Sequence, residues 1–280
     1  MTQRSAFIAV MGRPNVGKSS LVNRLCGHKV SIVASSANTT RRQVRGIRTD
    51  SETQLIFVDT PGIHRPKTEL GRRLNLAATE ASEGVDIHLV VIDATKDVGP
   101  GDTRVLEITP SNALVVLNKC DIASKPQIAK QLMRLGEFNK EGYFPVSSKT
   151  GYGVDALLAE LKGRCVDPYL YYPDGMLSDQ DELFRISEIV REKLLVELKD
   201  ELPHSIYCTV TEYDPPHVCV EIVVERESQK PIVIGKGGGT LKKVGIAARE
   251  ELGGRLFLEL FVKVERNWQR NSAFLDGRGL

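Results

Sequence analysis

The stretch GRPNVGKSS, Gly12–Ser20, fits the spacing G-x-x-x-x-G-K-[ST]. Gly12 and Gly17 let the backbone N–H groups of the loop, with Asn15, Val16 and Ser20 in it, turn inward around phosphate oxygens. Lys18 would supply a compact positive charge to the β- and γ-phosphates, and Ser19 a hydroxyl to Mg²⁺. Further along, VDTPG (Val58–Gly62) puts a carboxylate, Asp59, where it can hold Mg²⁺ through water. Gly62 can offer its N–H to the γ-phosphate with no side chain in the way. NKCD (Asn118–Asp121) supplies the base reader. The Asp121 carboxylate can accept two parallel hydrogen bonds from guanine N1–H and the exocyclic amine, a pattern adenine does not match. Asn118 would brace that loop, and the Lys119 stem can lie on the base face. SSK (Ser147, Ser148, Lys149) would close over the base with backbone amides. Between the first two motifs lies SSANTTRRQVRG, Ser35–Gly46, polar and mobile by composition. A hydroxyl from Thr39 or Thr40 would complete the Mg²⁺ shell while a γ-phosphate is present and release it afterwards, an order–disorder switch. Of the two, Thr40 is the expected ligand. Lys18, Thr40, Asp59 and Gly62 thus form the candidate catalytic set. Position 63 is Ile63, whose side chain cannot hydrogen-bond a water, so no side chain there orients one and slow intrinsic turnover is expected.

A second glycine-rich stretch, VIGKGGGTLKK (Val233–Lys243), fits neither the triphosphate loop nor the dinucleotide fingerprint, whose sixth position from Gly235 would be Thr240. Gly235, Gly237 and Gly238 would let a sugar–phosphate chain approach backbone amides closely. Lys230, Lys236, Lys242, Lys243 and Arg249 are the charges between Ser228 and Arg249, with no acid among them. Ile232 and Ile234 would form an apolar wall for single-stranded bases.

These loops need elements to hold them. In the first half, short apolar runs (Ala6–Met11, Gln54–Asp59, Asp86–Asp93, Ala113–Asn118, Tyr143–Ser147) read as strands buried on both faces. Helical patterns fall between them at Lys18–Leu25, Leu70–Glu83, Pro126–Phe138 and Asp155–Leu161. The alternation predicts a doubly wound α/β domain over residues 1–170 with a mostly parallel sheet. DPYLYYPDG (Asp167–Gly175) breaks it, and residues 171–180 read as a linker. Residues 181–280 read as an α+β unit in the order α-β-β-α-α-β: a helix over Asp181–Leu198, a hairpin turning at DPP, a short apolar turn at Pro231–Ile234, the glycine loop, a helix to about Leu252, and a last strand, RLFLELFVKVE.

The net charge of +2 over 280 residues makes any basic site a local one. No apolar run approaches the ~18 residues of a membrane span, and the N-terminal stretch is too short for a signal peptide. The cysteines Cys26, Cys120, Cys165, Cys208 and Cys219 lack C-x-x-C spacing and read as reduced thiols in a cytoplasmic protein, and the scattered histidines give no metal site.

The ordered set GRPNVGKSS, TTR, DTPG, NKCD, SSK resembles the translation-factor-related GTPases, and DTPGIHRPK with DPYLYYPDG narrows the resemblance to the Era GTPases over essentially the whole chain. The I-G-x-x-G loop looks like that of a KH module of type II, and VERESQKPIVIGKGGGTLKKVGIAAR is similar to the C-terminal domain of that family. The resemblance implies a P-loop GTPase with Mg²⁺, a K⁺ ion beside Asn15, and GTP and GDP as ligands. It implies a KH domain that grips single-stranded RNA near the 3′ end of 16S-type rRNA, in a monomer acting in small ribosomal subunit assembly. A peripheral place on the inner face of the cell membrane, with the KH-like unit serving protein contacts, is the alternative. Two positions depart from the family pattern: Ala34–Asn38 lacks the usual prolines, and Ser148 stands where alanine is common.

Overall fold

The structure, a computed structural model, describes residues 3–34, 39–198 and 202–280. The expectation of a mobile polar loop at Ser35–Asn38 lies outside these residues. The main division between two compact units falls between Asp179 and Gln180, with the short segment Thr68–Leu70 counted in the second, so residues 171–179 pack with the first.

The first unit is a six-stranded sheet with helices on both faces. In chain order it runs β1 (Arg4–Met11), α1 (Lys18–Cys26), β2 (Val44–Thr49), β3 (Thr53–Asp59), α2 (Glu69–Glu80), β4 (Ile87–Asp93), α3 (Pro100–Ile108), β5 (Leu114–Asn118), α4 (Lys125–Gly136), β6 (Gly142–Pro145) and α5 (Val154–Gly163). The sheet order is β2-β3-β1-β4-β5-β6. Every pair is parallel except β2–β3, a hairpin closed by Asp50, whose carboxylate accepts from the amides of Glu52 and Thr53. All residues of β3 and β5 are buried, as runs covered by helices on both faces must be. With β1 flanked by β3 and β4, the chain winds in both directions from the centre, and the loop after β1 opens at the carboxyl ends of the strands, where such sheets bind ligands.

Two elements escape the periodicity. β2 reads VRGIRT, an edge strand in which half-buried Arg45 and Arg48 each follow a buried residue of the run Val44, Gly46 and Ile47. α3 begins PGD, which reads as a turn. Pro100 supplies the first-turn φ instead, and the Asp102 carboxylate reaches back to the Gly99 amide at 3.0 Å. At α4 the start is explicit: Ser124 and Gln127 exchange side-chain-to-backbone hydrogen bonds, satisfying two orphan amides.

The second unit follows the expected order with one addition. It contains α6 (Glu182–Glu197), β7 (Tyr207–Asp214), β8 (His217–Val224), α7 (Lys230–Ile234), α8 (Gly239–Glu251), β9 (Phe257–Val264) and α9 (Ser272–Gly277). Its sheet order is β7-β8-β9, antiparallel then parallel. One face is covered by Ile186, Val190 and Leu194 of α6, Val233 of α7, and Val244 and Ala248 of α8. The stretch read as an apolar turn at Pro231–Ile234 is the helix α7. The addition is the C-terminal segment, where buried Trp268 donates its indole N–H to the Ser205 carbonyl at 2.9 Å and packs beside Tyr207 and Phe274.

All five cysteines are free thiols. Burial pushes Cys26 up to about 12 and Cys165 up to about 11. Since the thiolate is the reactive form, Ellman's reagent at pH 8 is expected to label at most the partly exposed Cys120 and Cys219, and slowly. The full set should react only in guanidinium. A thiol held above its unfolded value favours the folded state at lower pH. Stability is therefore expected to fall as pH rises from 9 through the folded values. Prompt labelling of five thiols in the native protein would contradict this.

Candidate functional site

β1 delivers the chain into the first glycine loop. A Cβ on Gly12 would lie 2.5 Å from the Val91 carbonyl oxygen, and one on Gly17, at φ 97°, would lie 2.3 Å from Nδ2 of Asn118. Only glycine fits at either. Asn15 takes the left-handed conformation (φ 65°) that Asn tolerates better than most residues. α1 starts at Lys18, so its free amides face the loop. Lys18 is buried, and its ammonium donates to the carbonyls of Gly12 (3.2 Å) and Arg13 (3.0 Å). Burial lowers it to about 8, with nearby Asp59 pulling the other way.

Three oxygens converge beside it. Ser19 Oγ lies 2.8 Å from Asp59 Oδ2 and 3.0 Å from Thr40 Oγ1, and Thr40 Oγ1 donates to the same carboxylate at 3.3 Å. Of the two threonines left open by the sequence, Thr40 is thus the one whose hydroxyl joins this group. Asp59 is fully buried, and burial raises its pKa against the opposing Lys18 charge. Its second oxygen, Oδ1, is buried with no hydrogen-bond partner among the described residues. Two hydroxyls and an under-satisfied carboxylate form a hard, all-oxygen set that suits Mg²⁺.

The end of β3 is clipped onto the same loop. Thr60 Oγ1 donates to the Val10 carbonyl and the Ile63 amide to that of Gly12. A Cβ on Gly62 would stand 2.7 Å from the Pro14 nitrogen, so glycine is required by close approach. Ile63 itself is buried in one apolar cluster with Ala9, Met11, Ala78 and Val90.

The base end is joined to the phosphate end by one buried amide. Asn118 Nδ2 donates to the Val16 carbonyl at 3.0 Å, and its Oδ1 accepts the Ser148 amide at 3.0 Å. Lys119 donates to the Asn15 carbonyl at 2.6 Å and to Asp93 at 2.7 Å. Burial works against ionisation of Asp93, but Lys119 and Thr95 outweigh it and hold that carboxyl low. Asp121 is exposed, and its Oδ1 accepts from buried Ser147 at 2.7 Å, leaving the outer carboxylate oxygen for a ligand. Three charged residues not singled out from the sequence belong to this frame. Asp93 locks Lys119, Arg24 donates to the carbonyls of Ser148 and Lys149, and buried Asp102 pairs with Arg13 at 2.8 Å. A charged residue at a strand end, as in VVID, was the available signal for Asp93. The other two depend on partners 124 and 89 residues away.

In the second unit, the glycines divide into two kinds. Gly235 (φ 76°) closes the turn after α7, and a Cβ there would meet Thr240 Oγ1 at 2.3 Å. Gly237 (φ 58°) and Gly238 (φ 77°) have nothing within 4 Å of that position, so their backbone faces open space. Lys236 and Lys242 are exposed beside the loop, Lys230 and Ile234 are half-buried, and Ile232 is 55% exposed. Lys243 is exposed and lies 3.7 Å from Glu197. Arg249 does not join this group. It stands ten residues into α8, about 15 Å along a helix rising 1.5 Å per residue, and its guanidinium lies over the Phe257 ring. No cluster of three or more His, Cys, Asp or Glu side chains suited to a metal occurs among the described residues. No helix among them is long and apolar enough to cross a membrane.

Comparison with known proteins matches both units. Residues 7–119 fit the model of the 50S ribosome-binding GTPase family, and residues 201–269 that of the KH domain. GTPase Era of Mycobacterium bovis (strain BCG / Pasteur 1173P2) and of Mycobacterium tuberculosis (strain ATCC 25177 / H37Ra) are each 41% identical over 294 aligned positions, covering 98% of both chains. Among solved structures, a point variant of Aquifex aeolicus Era bound to GDP·AlF4⁻ is 35% identical with a TM-score of 0.92 over 98% of both chains. Era in complex with MgGDPNP and nucleotides 1506–1542 of 16S ribosomal RNA is 34% identical with the same TM-score and coverage. With a P-loop domain followed by a KH domain and this identity along nearly the whole length of both chains, the chain belongs to the Era GTPase family.

Proposed function

We propose that the chain binds GTP with Mg²⁺ and hydrolyses it to GDP and phosphate. The nucleotide state then sets the grip of the KH unit on single-stranded RNA of the kind found at the 3′ end of small-subunit rRNA, in assembly of that subunit. The convergence of Ser19, Thr40 and Asp59 on one point beside Lys18, with Asp59 Oδ1 unpartnered, carries this reading. Bound Mg²⁺ would neutralise charge on the β- and γ-phosphate oxygens. Lys18 would exchange its carbonyl partners for phosphate oxygens, and the Gly62 amide would meet the γ-phosphate. Because Ile63 faces the core, turnover rests on charge stabilisation by Lys18 and the metal. Two complexed relatives, one with MgGDPNP and 16S rRNA nucleotides and one with a GDP–aluminium fluoride species, support the same ligands here. K⁺ beside the left-handed Asn15 belongs to this reading as a second cation. The free thiols suit a reducing, cytoplasmic setting. The chain would act there as a monomer, with a peripheral place on the inner membrane face kept as the alternative.

The test is GTP hydrolysis with and without an oligonucleotide of the rRNA 3′ end, in KCl and in NaCl at equal ionic strength. Faster turnover with RNA and in KCl is expected. RNA that neither binds nor stimulates removes the RNA-switch reading, and equal rates in the two salts remove K⁺.

A further inference from the structure

Residues 167–179, which include most of the segment that reads as a linker (171–180), are held at two places on the sheet of the first unit. The first anchor is on interior strands. Ser5 of β1 and Asp167 form an antiparallel bridge, with the Ser5 amide donating to the Asp167 carbonyl at 2.8 Å. Gln54 of β3 is fully buried, and its side-chain amide reads the passing backbone. Oε1 accepts the amides of Tyr171 (2.9 Å) and Tyr172 (3.0 Å), and Nε2 donates to the Tyr172 carbonyl (2.8 Å). The Tyr171 ring meets Phe7 edge-on at 4.8 Å.

A turn follows, with the Met176 amide bonded to the Pro173 carbonyl and Gly175 at φ 78°. The second anchor is on the outer side of β2, the edge strand. Ile47 donates to the Leu177 carbonyl at 2.9 Å, and Gly46 bridges Ser178. Ser178 Oγ donates to the Arg45 carbonyl at 2.8 Å. The Arg45 amide donates to Asp179 Oδ1 at 3.1 Å, and its guanidinium reaches Asp179 Oδ2 at 3.4 Å. β2 begins four residues after Thr40, the hydroxyl that joins Ser19 and Asp59.

The two anchors differ in what can move them. β1 and β3 have strand neighbours on both sides, whereas β2 has β3 on one side and residues 177–179 on the other. From this asymmetry we propose that residues 171–179 are a strap that carries the position of Thr40 to the chain entering the second unit, with Arg45, Ser178 and Asp179 as its positioning residues. When the γ-phosphate is lost and Thr40 leaves Ser19 and Asp59, β2 shifts, and the residues bonded to its edge shift with it. The Tyr172 backbone stays on Gln54, the 3.2 Å bond from Arg45 to the Tyr172 hydroxyl gives, and the turn at Pro173–Gly175 absorbs the difference, as hinges at short glycine-containing turns do. The strap rests on the reading that nucleotide state controls RNA grip. Linkage makes the coupling reciprocal, so RNA on the second unit alters nucleotide affinity by the same factor.

The test uses the full chain, wild type and Ser178→Ala/Asp179→Ala. Neither residue touches the nucleotide site, and the exposed Arg45–Asp179 pair adds little to stability. Dissociation constants for the rRNA 3′-end oligonucleotide are measured with GDPNP and with GDP, beside basal hydrolysis and GDP affinity. The wild-type ratio of the two RNA constants is expected in the range of about 5–150 typical of allosteric coupling. In the variant it should fall to within about twofold of one, with basal hydrolysis and GDP affinity unchanged. The charge swap Arg45→Asp/Asp179→Arg should restore most of the ratio where Arg45→Asp alone does not. A variant that keeps the wild-type ratio overturns the strap while leaving the RNA-switch reading intact. A wild-type ratio of one overturns both.

Discussion

Asp121→Asn is expected to lower GTP and GDP affinity by about 10²–10⁴-fold and to create affinity for xanthine nucleotides. The carboxylate would accept from two guanine donors, and each charge-assisted bond is worth about 1.5–3 kcal/mol. Two such bonds at about 1.4 kcal/mol per tenfold give that range. An amide in the same place presents one acceptor and one donor, and its N–H₂ meets the guanine amine donor to donor. Xanthine carries a carbonyl oxygen at that carbon, so the amide fits it. Ser147 can still donate to the remaining oxygen, which keeps the loop in place. Lys18, Ser19 and Asp59 are untouched, so xanthosine triphosphate should be hydrolysed at a rate near that of GTP on the wild type. Competition against a fluorescent GDP analogue reads the affinities. GDP binding within threefold of wild type would remove Asp121 from the role of base reader.

The second large effect is expected at the glycine clamp. Gly237→Asp should weaken RNA binding at least tenfold and abolish RNA stimulation, while the protein stays folded and its basal hydrolysis stays normal. The backbone there is left-handed, a conformation Asp adopts at a cost of about 1 kcal/mol or less. Nothing lies within 4 Å of the new Cβ. The carboxylate would stand where phosphates approach, and like charges brought together at an interface cost several kcal/mol. Folding of the second unit can be followed from the single buried tryptophan, Trp268, whose fluorescence melt should shift little. RNA affinity unchanged in Gly237→Asp would mean that the clamp does not meet RNA through this loop. Gly235 offers no such test, because any side chain there strikes Thr240 and the loop itself would fail.

The contrast between these glycines marks where the sequence stops speaking. Motif spacing locates the loop, and its positive charge is local enough to see. Which glycines close the turn and which face outward depends on Thr240 folding back over Gly235, a contact no spacing rule encodes. Arg249 misleads for the opposite reason. It belongs to the basic run by position but sits far along α8 against Phe257. In the first unit the parallel strands are legible because burial on both faces forces unbroken apolar runs. β2 is not, because its two arginines break the apolar run and find their partners on segments far away in the chain, Arg48 at the Leu25 carbonyl and Arg45 at Asp179. The nucleotide residues are legible because each motif is contiguous. Arg24, Asp93 and Asp102 take their meaning from partners elsewhere in the chain. The C-terminal segment is hidden for the same reason, since Trp268 is fixed by Ser205, 63 residues earlier.

Asn118 has a consequence for ligands smaller than GTP. Its one buried amide grips Val16 on the phosphate side and Ser148 on the base side. A fragment occupying only the base end, such as guanosine, therefore firms the loop that would receive pyrophosphate, and pyrophosphate does the same in return. Fragment affinities measured apart will not add, since groups joined through one network couple. A competitive inhibitor built from the guanine end alone would reach the phosphate loop through the protein, without carrying a charge to it.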